Sequence, residues 1–475
     1  MVKKSIYILA AFAAITFNSC KSDFDEPAYS AGTANFTTYV AVGNSLTAGY
    51  QDNALSLAGQ QNAYPAILSS VFSKVGGAKE FNTPYLTGVD ATNGVNPAPD
   101  PGNFLRTVSK LILKKDLIDC LGNKSLGPSL FAAPIVNNVS FYTDRVDTTG
   151  KKHFHNMGVP GAKVRDVIST LYGNVLFGGN PFYARFATNP GTSSMLSDAA
   201  AANPTFFTLW IGNNDVLGYA TAGGTGTIGG FLSSDITPVD SFESAYANIV
   251  NVLTSNGAKG ACANIPDVAS VPFFTTVPYN PIVLTRQGQV DTLNGIWSGY
   301  NQAATGAGLP LITWKIGQNA LVIKDAGYPV SGIRQMKSTE LVCLTIPQDE
   351  LKCNGLGAVT PVESIYILTD AEIANINTYT NQYNTIIKKY ADMKGLAYVD
   401  MGNYFKTFVD GNIIFNGVTY TTEFVKGGVF SLDGVHPNQR GYALIANEWI
   451  RNINSKFGSN LPGVDVNNYA GVLFP

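Results

Sequence analysis

Short apolar runs that alternate with helical patterns constrain the fold of this chain more than any other feature. The runs lie at 39–42, 206–211, 260–264 and 396–400. Apolar stretches of this length are typical of strands that are buried on both faces. Because amphipathic helical patterns lie between them, we predict an α/β fold, with three layers and a central parallel sheet covered by helices on both faces.

Helix-start signals support this interpretation. The pattern over 241–253 begins with Asp240 and Glu243, which have the spacing of a capping box. Thr369 and Glu372 have the same spacing at the start of a second, longer helical pattern. Both segments are therefore predicted to be helices that cover the sheet.

Two stretches, at about 81–147 and 272–361, do not follow the alternation. They are rich in Pro, Gly and Asn and show little periodicity. Gly and Pro number 48 and 24 in the whole chain of 475 residues, which implies many ordered turns and long loops. We interpret the two stretches as large insertions or lids on one sheet, so that 34–475 is a single domain.

The N-terminus has the pattern of an export signal. Lys3 and Lys4 precede an apolar segment at 6–17, which is shorter than the roughly 20 residues of a spanning helix. We predict a signal peptide over residues 1–19. Cys20, directly after it, resembles the lipidated cysteine of bacterial lipoproteins, and the acidic tract behind it resembles the surface-export signal of Bacteroidetes lipoproteins.

This resemblance implies a lipidated Cys20 and a polar tether over 20–33. The protein is then expected to be an exported lipoprotein, held by its lipid anchor to the outer membrane, at the cell surface or on the periplasmic face. The alternative is ordinary secretion with Cys20 free.

The charge of the chain excludes one class of partner. A net charge of −2 with 13% charged residues leaves no basic stripe for nucleic acid, so no nucleic-acid partner is expected.

The cysteines predict thiols and a disulfide, not a metal site. Cys343 and Cys353 enclose a short loop and could form a disulfide in an exported protein. Cys262 is interpreted as a buried free thiol. The cysteines lack the paired spacing of a zinc site, and we expect no metal and no cofactor.

A candidate nucleophile and base occur far apart in the sequence. Ser45 directly follows the run at 39–42, at the carboxyl end of a predicted strand, where open α/β sheets bind ligands. A serine needs a base within hydrogen-bond reach. Asp433 precedes His436 by three residues, so its carboxylate can accept from Nδ1 and leave Nε2 free for the serine. The alternative is that Asp433 caps a turn and His436 is a surface residue.

Ester hydrolysis also requires donors for a developing oxyanion. Asn214 follows the run at 206–211, and its side-chain amide can donate there. Gly161 lies in a Pro-Gly turn, where the missing Cβ lets a backbone N–H approach a ligand. Either residue alone is ordinary turn material.

The order of these segments resembles the GDSL, or SGNH, hydrolases. The four matching blocks are Gly43-Asn-Ser45-Leu46, Asn156-x-Gly-x-x-Gly161, Gly212-x-Asn214-Asp215 and Asp433-x-x-His436. The resemblance implies a flavodoxin-like sheet and a serine esterase acting on acylated carbohydrates or lipids.

By the same resemblance, Ser45 is the nucleophile, His436 the base and Asp433 its orienting partner. The N–H groups of Ser45 and Gly161 and the side chain of Asn214 form the oxyanion hole. The chain departs from the family pattern at Asn44, where the family has Asp. The alternative function is a non-catalytic, glycan-binding lipoprotein that retains the fold.

Overall fold

The computed structural model describes residues 28–77, 79–97, 106–143, 146, 153–411 and 413–475. The signal peptide predicted over 1–19 and the lipidation predicted at Cys20 lie outside these residues. Within the described part of the chain, no helix is both long enough and apolar enough to cross a membrane.

Five parallel strands form the central sheet: β1 (Tyr39–Gly43), β2 (Asn156–Gly158), β3 (Phe206–Trp210), β4 (Lys259–Ala263) and β5 (Ala397–Val399). Their order across the sheet is β2-β1-β3-β4-β5, the order of flavodoxin-like folds. In the register, Ala41 of β1 lies opposite Asn156 of β2 and Thr208 of β3. Every residue of β1 and β3 is buried, as expected for strands with helices on both faces. The predicted three-layer α/β fold is confirmed.

Eight helices belong to this core: α1 (Ser45–Ala48), α2 (Tyr64–Ser73), α3 (Met195–Ala201), α4 (Asn214–Thr221), α5 (Val239–Thr254), α6 (Asp370–Lys394), α7 (Met401–Val409) and α8 (Gln439–Phe457). Helices α2 and α8 pack together, and Tyr64 stacks on Trp449 with ring centroids 5.3 Å apart. Helices α5 and α6 form a second pair, in which Phe242 stacks on Tyr383 at 4.1 Å. Stacked aromatic rings therefore join the helices of each pair.

One of the two predicted capping boxes is present. The Thr369 N–H donates to the Glu372 carboxylate at 2.6 Å, and α6 begins at the next residue. The prediction at Asp240 is wrong, because α5 begins at Val239 without a side-chain cap. Pro238, with its fixed φ of −58°, starts the helix two residues earlier, and Glu243 instead bonds to Lys389 at 2.6 Å.

The two predicted insertions consist of short antiparallel strand pairs and short helices. The strand pairs are Asn96–Pro97 with Thr107–Val108, Leu111–Ile118 with Lys124–Leu130, Ile282–Leu284 with Gly317–Asn319, Val322–Lys324 with Ile333–Gln335, and Leu341–Val342 with Ile367–Leu368; a further pair, Ile413–Phe415 with Val418–Tyr420, lies near the C-terminus. The remaining helices are Leu57–Gln61, Gly88–Asn93, Val139–Thr143, Pro181–Ala184, Pro272–Thr275, Gln287–Ile296, Ser298–Gly306 and Gln348–Cys353. Two small apolar clusters lie within the second insertion, one around Trp297 and one around Ile323.

The predicted disulfide between Cys343 and Cys353 is wrong. Cys353 is bonded to Cys120, 233 residues earlier, with the two Cα atoms 6.4 Å apart. Cys343 is a buried free thiol whose side chain packs in the main core, and its backbone N–H donates to the Tyr366 carbonyl at 2.8 Å. Cys262 is also buried and free, as predicted. The disulfide therefore connects the first insertion to the second.

Candidate active site

Ser45 stands in a tight turn at the carboxyl end of β1. Asn44 caps α1, because its Oδ1 accepts from the Leu46 N–H at 3.0 Å. Its Nδ2 also donates to Asn213 Oδ1 at 3.1 Å, which ties the turn to the loop after β3. A side chain at Gly43 would place Cβ 2.1 Å from Thr47 Oγ1. Asn44 thus supplies a cap and a cross-link where the family pattern has Asp.

The structure brings together the three residues predicted as nucleophile, base and orienting partner. Ser45 Oγ lies 2.9 Å from His436 Nε2, across a sequence separation of 391 residues. His436 Nδ1 lies 2.9 Å from Asp433 Oδ2. The alternative of a surface histidine is not observed, since only 14% of the His436 side chain is exposed.

The Asp433 carboxylate is held by backbone donors as well as by the histidine. Its Oδ1 accepts from the N–H groups of Val435 and His436 at 2.9 and 2.8 Å. Its Oδ2 accepts from the Asn53 N–H at 2.9 Å. Burial alone would raise the pKa of Asp433, but the facing charge of His436 and these hydrogen bonds outweigh it and lower the pKa below its usual value. The carboxylate is therefore ionised at neutral pH.

A second carboxylate, of the partly buried Asp52, lies beside this loop, and no motif in the sequence marks it. The Asp52 N–H donates to Ser431 Oγ at 2.8 Å, and Asp52 Oδ1 accepts from the Leu432 N–H at 3.0 Å. Asp52 and Asn53 both adopt left-handed backbone conformations, with φ of 54° and 59°. Burial raises the pKa of Asp52 to about 6. The only signal in the sequence is an Asp-Asn pair, the residue types that tolerate this conformation.

Strand β2 is fastened to α1 by side-chain hydrogen bonds and close backbone packing. Asn156 Nδ2 donates to the Thr47 carbonyl at 3.1 Å, and Asn156 Oδ1 accepts from the Gly158 N–H at 2.9 Å. A side chain at Gly158 would place Cβ 2.2 Å from the Ala48 nitrogen. This close approach explains the Asn-x-Gly pair in the second block.

The predicted oxyanion donors follow three neighbouring strands, β1, β2 and β3. Asn214 Nδ2 donates to the Ala162 carbonyl at 2.9 Å, next to Gly161, whose φ is 83°. In the described part of the chain, the N–H groups of Ser45 and Gly161 donate to no protein acceptor. The second hydrogen of the Asn214 side-chain amide also has no acceptor among the described residues. These donors are available to a ligand.

Asp215 anchors the loop that carries Asn214. Its side chain is fully buried, and its Oδ2 accepts from the Val164 N–H at 3.0 Å. Burial raises the pKa of Asp215 to about 7. No cluster of three or more potential metal ligands occurs among the residues described by the structure.

Comparison with known proteins identifies the family of this chain. A family model for GDSL-like lipases and acylhydrolases matches residues 39–449. The chain belongs to the GDSL-like lipase/acylhydrolase family. It is accordingly a carboxylic ester hydrolase. A comparison with curated proteins finds no match.

Solved structures similar to this chain include other esterases and lipases. A putative GDSL-like lipase from Parabacteroides merdae is 10% identical, with a TM-score of 0.32, over 90% of this chain and 99% of the other. An acetyl-xylooligosaccharide esterase mutant from Geobacillus stearothermophilus is 11% identical, with a TM-score of 0.34, over 89% and 96%. An extracellular lipase from Streptomyces rimosus is 12% identical, with a TM-score of 0.30, over 88% and 99%.

Proposed function

We propose that this GDSL-family hydrolase cleaves carboxylic esters with a Ser45-His436-Asp433 triad and an oxyanion hole made by Ser45, Gly161 and Asn214. One observation carries the proposal: two consecutive 2.9 Å contacts link the Ser45 hydroxyl to His436 and His436 to the buried Asp433. This chain of contacts has the geometry needed to activate a serine.

In the first step, Ser45 Oγ attacks the ester carbonyl carbon while His436 Nε2 takes the hydroxyl proton. The carbonyl oxygen becomes an oxyanion, which the two backbone N–H groups and the Asn214 amide stabilise. The carbon–alkoxy bond then breaks, and His436 returns the proton to the departing alcohol. An acyl group remains on Ser45.

In the second step, His436 takes a proton from water, and the resulting hydroxide attacks the acyl carbon. The bond to Ser45 breaks, and the proton returns to the Ser45 oxygen. The acid is released and the free enzyme is restored. Asp433 stays ionised throughout. Its negative charge stabilises the protonated imidazole, and its hydrogen bond to Nδ1 keeps Nε2 facing the serine.

The substrates in this proposal are acyl esters of carbohydrates or acyl lipids. Their alcohol leaves past His436, while the acyl group stays on the enzyme. An exported lipoprotein anchored through Cys20 would meet both kinds of ester at the outer membrane.

Replacement of the two reacting side chains tests the proposal. We expect Ser45→Ala and His436→Ala each to lower kcat on p-nitrophenyl butyrate by about four orders of magnitude, because triad members act as a unit. Ser69→Ala, a buried serine of α2, is the matched control and should retain wild-type turnover. Wild-type turnover by Ser45→Ala would refute the triad, and a wild type without esterase activity would favour the binding function.

A further inference from the structure

The cavity that Ser45, His436 and Asn214 line is otherwise walled mainly by apolar side chains. They come from α4, from the 3₁₀ turn Val268–Ser270, from α7 and from α8. Val268 in the 3₁₀ turn and Phe405 in α7 are two of these side chains. A site with this composition gains free energy by taking up a hydrocarbon chain.

Several polar groups of the wall already have partners within the protein. The Tyr404 hydroxyl donates to the Leu444 carbonyl at 3.2 Å, and the Trp210 indole N–H donates to the Asn264 carbonyl at 3.1 Å. The hydroxyls of a buried sugar ring would find few partners here and would lose their hydrogen bonds to water. An alkyl chain has no such cost.

The size of the cavity limits the length of that chain. Its volume is about 90 Å³. Because a cavity of roughly 150 Å³ holds a benzene molecule of six carbons, this cavity takes about four carbons of an acyl chain beyond the carbonyl carbon at Ser45. An acetyl group would leave most of it unfilled, and a long fatty acyl chain would not fit.

We propose that this cavity is an acyl pocket and that the enzyme selects esters of medium-chain fatty acids of about six carbons. The inference rests on the proposed function, because it requires a carbonyl carbon at Ser45. The pocket holds the acyl side of the ester for a mechanistic reason. After the first step the acyl group stays on Ser45, whereas the alcohol must leave and admit water to His436.

Two ester series test the proposal on the full wild-type chain. In p-nitrophenyl esters from acetate to dodecanoate, kcat/KM should rise by about fourfold per methylene at first. It should peak between butanoate and octanoate and fall at decanoate and beyond. In alkyl acetates from methyl to octyl, where only the alcohol grows, kcat/KM should change less than fivefold.

Variants of the wall supply the second test. Val268→Phe fills the cavity and should lower the hexanoate-to-acetate ratio of kcat/KM at least tenfold, with acetate hydrolysis retained. Phe405→Ala enlarges the cavity and should move the optimum to longer chains. Val409→Ala, on the same helix but 45% exposed and outside the cavity, is the control and should leave the ratio unchanged.

Failure of this inference is distinguishable from failure of the proposed function. A Ser45-dependent esterase with no acyl-length preference, or with a preference only in the alkyl acetate series, would overturn the acyl pocket and leave the triad intact. An unchanged hexanoate-to-acetate ratio in Val268→Phe would also overturn it. Should Val268→Phe fail to fold, the chain-length optimum of Phe405→Ala decides: an optimum unmoved from that of the wild type counts against the pocket.

Discussion

At the scale of single residues, the site contains two carboxylates whose pKa values are shifted in opposite directions from the ordinary value. Asp433 faces His436 and several hydrogen-bond donors, so its pKa is lowered. Asp52 has fewer hydrogen-bond donors, so burial raises its pKa to about 6, and the nearby negative charge of Asp433 raises it further. The hydrogen bond from Leu432 and the charges of Lys110 and His436 lower the pKa, but by less. Near neutral pH, Asp433 is therefore a fixed charge and Asp52 a group that titrates.

This difference predicts how stability depends on pH. The pKa of Asp52 is higher in the folded chain, about 6, than its ordinary value of 3.8. The stabilisation from proton binding is therefore present below about pH 4 and lost as pH rises through 6. We expect Asp52→Asn to raise the free energy of unfolding at pH 7.5 by about 1–3 kcal/mol, and to have little effect at pH 4. Urea unfolding at both pH values measures this, and an equal effect at both would contradict it.

Asp52 should also affect activity by holding the loop that carries Asp433. Its Oδ1 accepts from the Leu432 N–H at 3.0 Å. We expect Asp52→Ala, which loses this hydrogen bond, to lower kcat on p-nitrophenyl butyrate several-fold, whereas Asp52→Asn, whose side-chain carbonyl can still accept, should retain it. Equal kcat for wild type and Asp52→Ala would contradict this role.

The sequence predicted most of the site residues, but not Asp52. Ser45, Asp433 and His436 occur in short motifs whose chemistry depends on local spacing. The contact between Asn53 and Asp433 joins positions 380 residues apart, and no local pattern encodes it. Such a pairing exists only after the chain has folded.

At the scale of elements, prediction succeeded where the local signal was strong. The apolar runs gave β1, β3, β4 and β5 to within one or two residues. The edge strand β2 has only three residues, Asn156–Gly158. Asn156 and Gly158 bind α1 at the site, and neither Asn nor Gly favours a strand. The short spacing of Cys343 and Cys353 does not predict the disulfide, because Cys120 reaches Cys353 through a long hairpin that is distant in sequence.

The Cys120–Cys353 disulfide should contribute to stability more than to chemistry. It closes a loop of 233 residues and lies beside an ion pair between Lys352 and Asp119, 2.8 Å apart. We expect Cys120→Ser/Cys353→Ser to lose about 2–5 kcal/mol of unfolding free energy, with activity on short esters retained. Reductant should lower the Tm of the wild type to that of the double variant, and should leave the variant unchanged. An equal Tm for wild type and variant would contradict this.

At the scale of the whole molecule, alternation of strands and helices was enough to predict the sheet, but not the insertions. The core strands carry continuous runs of apolar residues, and these side chains become buried wherever the strands pair. The insertions are strand pairs of two to eight residues, and their partners follow from contacts between distant segments. The small clusters around Trp297 and Ile323 show that the second insertion buries apolar surface of its own.

The anchor proposed at Cys20 determines where the whole protein resides. We expect the full chain, expressed in a bacterium that processes lipoproteins, to partition into the detergent phase of Triton X-114. Cys20→Ala should partition into the aqueous phase with its esterase activity unchanged. Equal partitioning of the two proteins would mean that Cys20 carries no lipid.

The most direct test of the central claim is to locate the residue that a fluorophosphonate modifies. The reagent reacts with activated serines, so peptide mapping by mass spectrometry identifies the nucleophile. The account predicts one adduct on Ser45, no adduct in Ser45→Ala, and labelling slowed by several orders of magnitude in His436→Ala. An adduct on another residue, or labelling of Ser45→Ala at the wild-type rate, would contradict it.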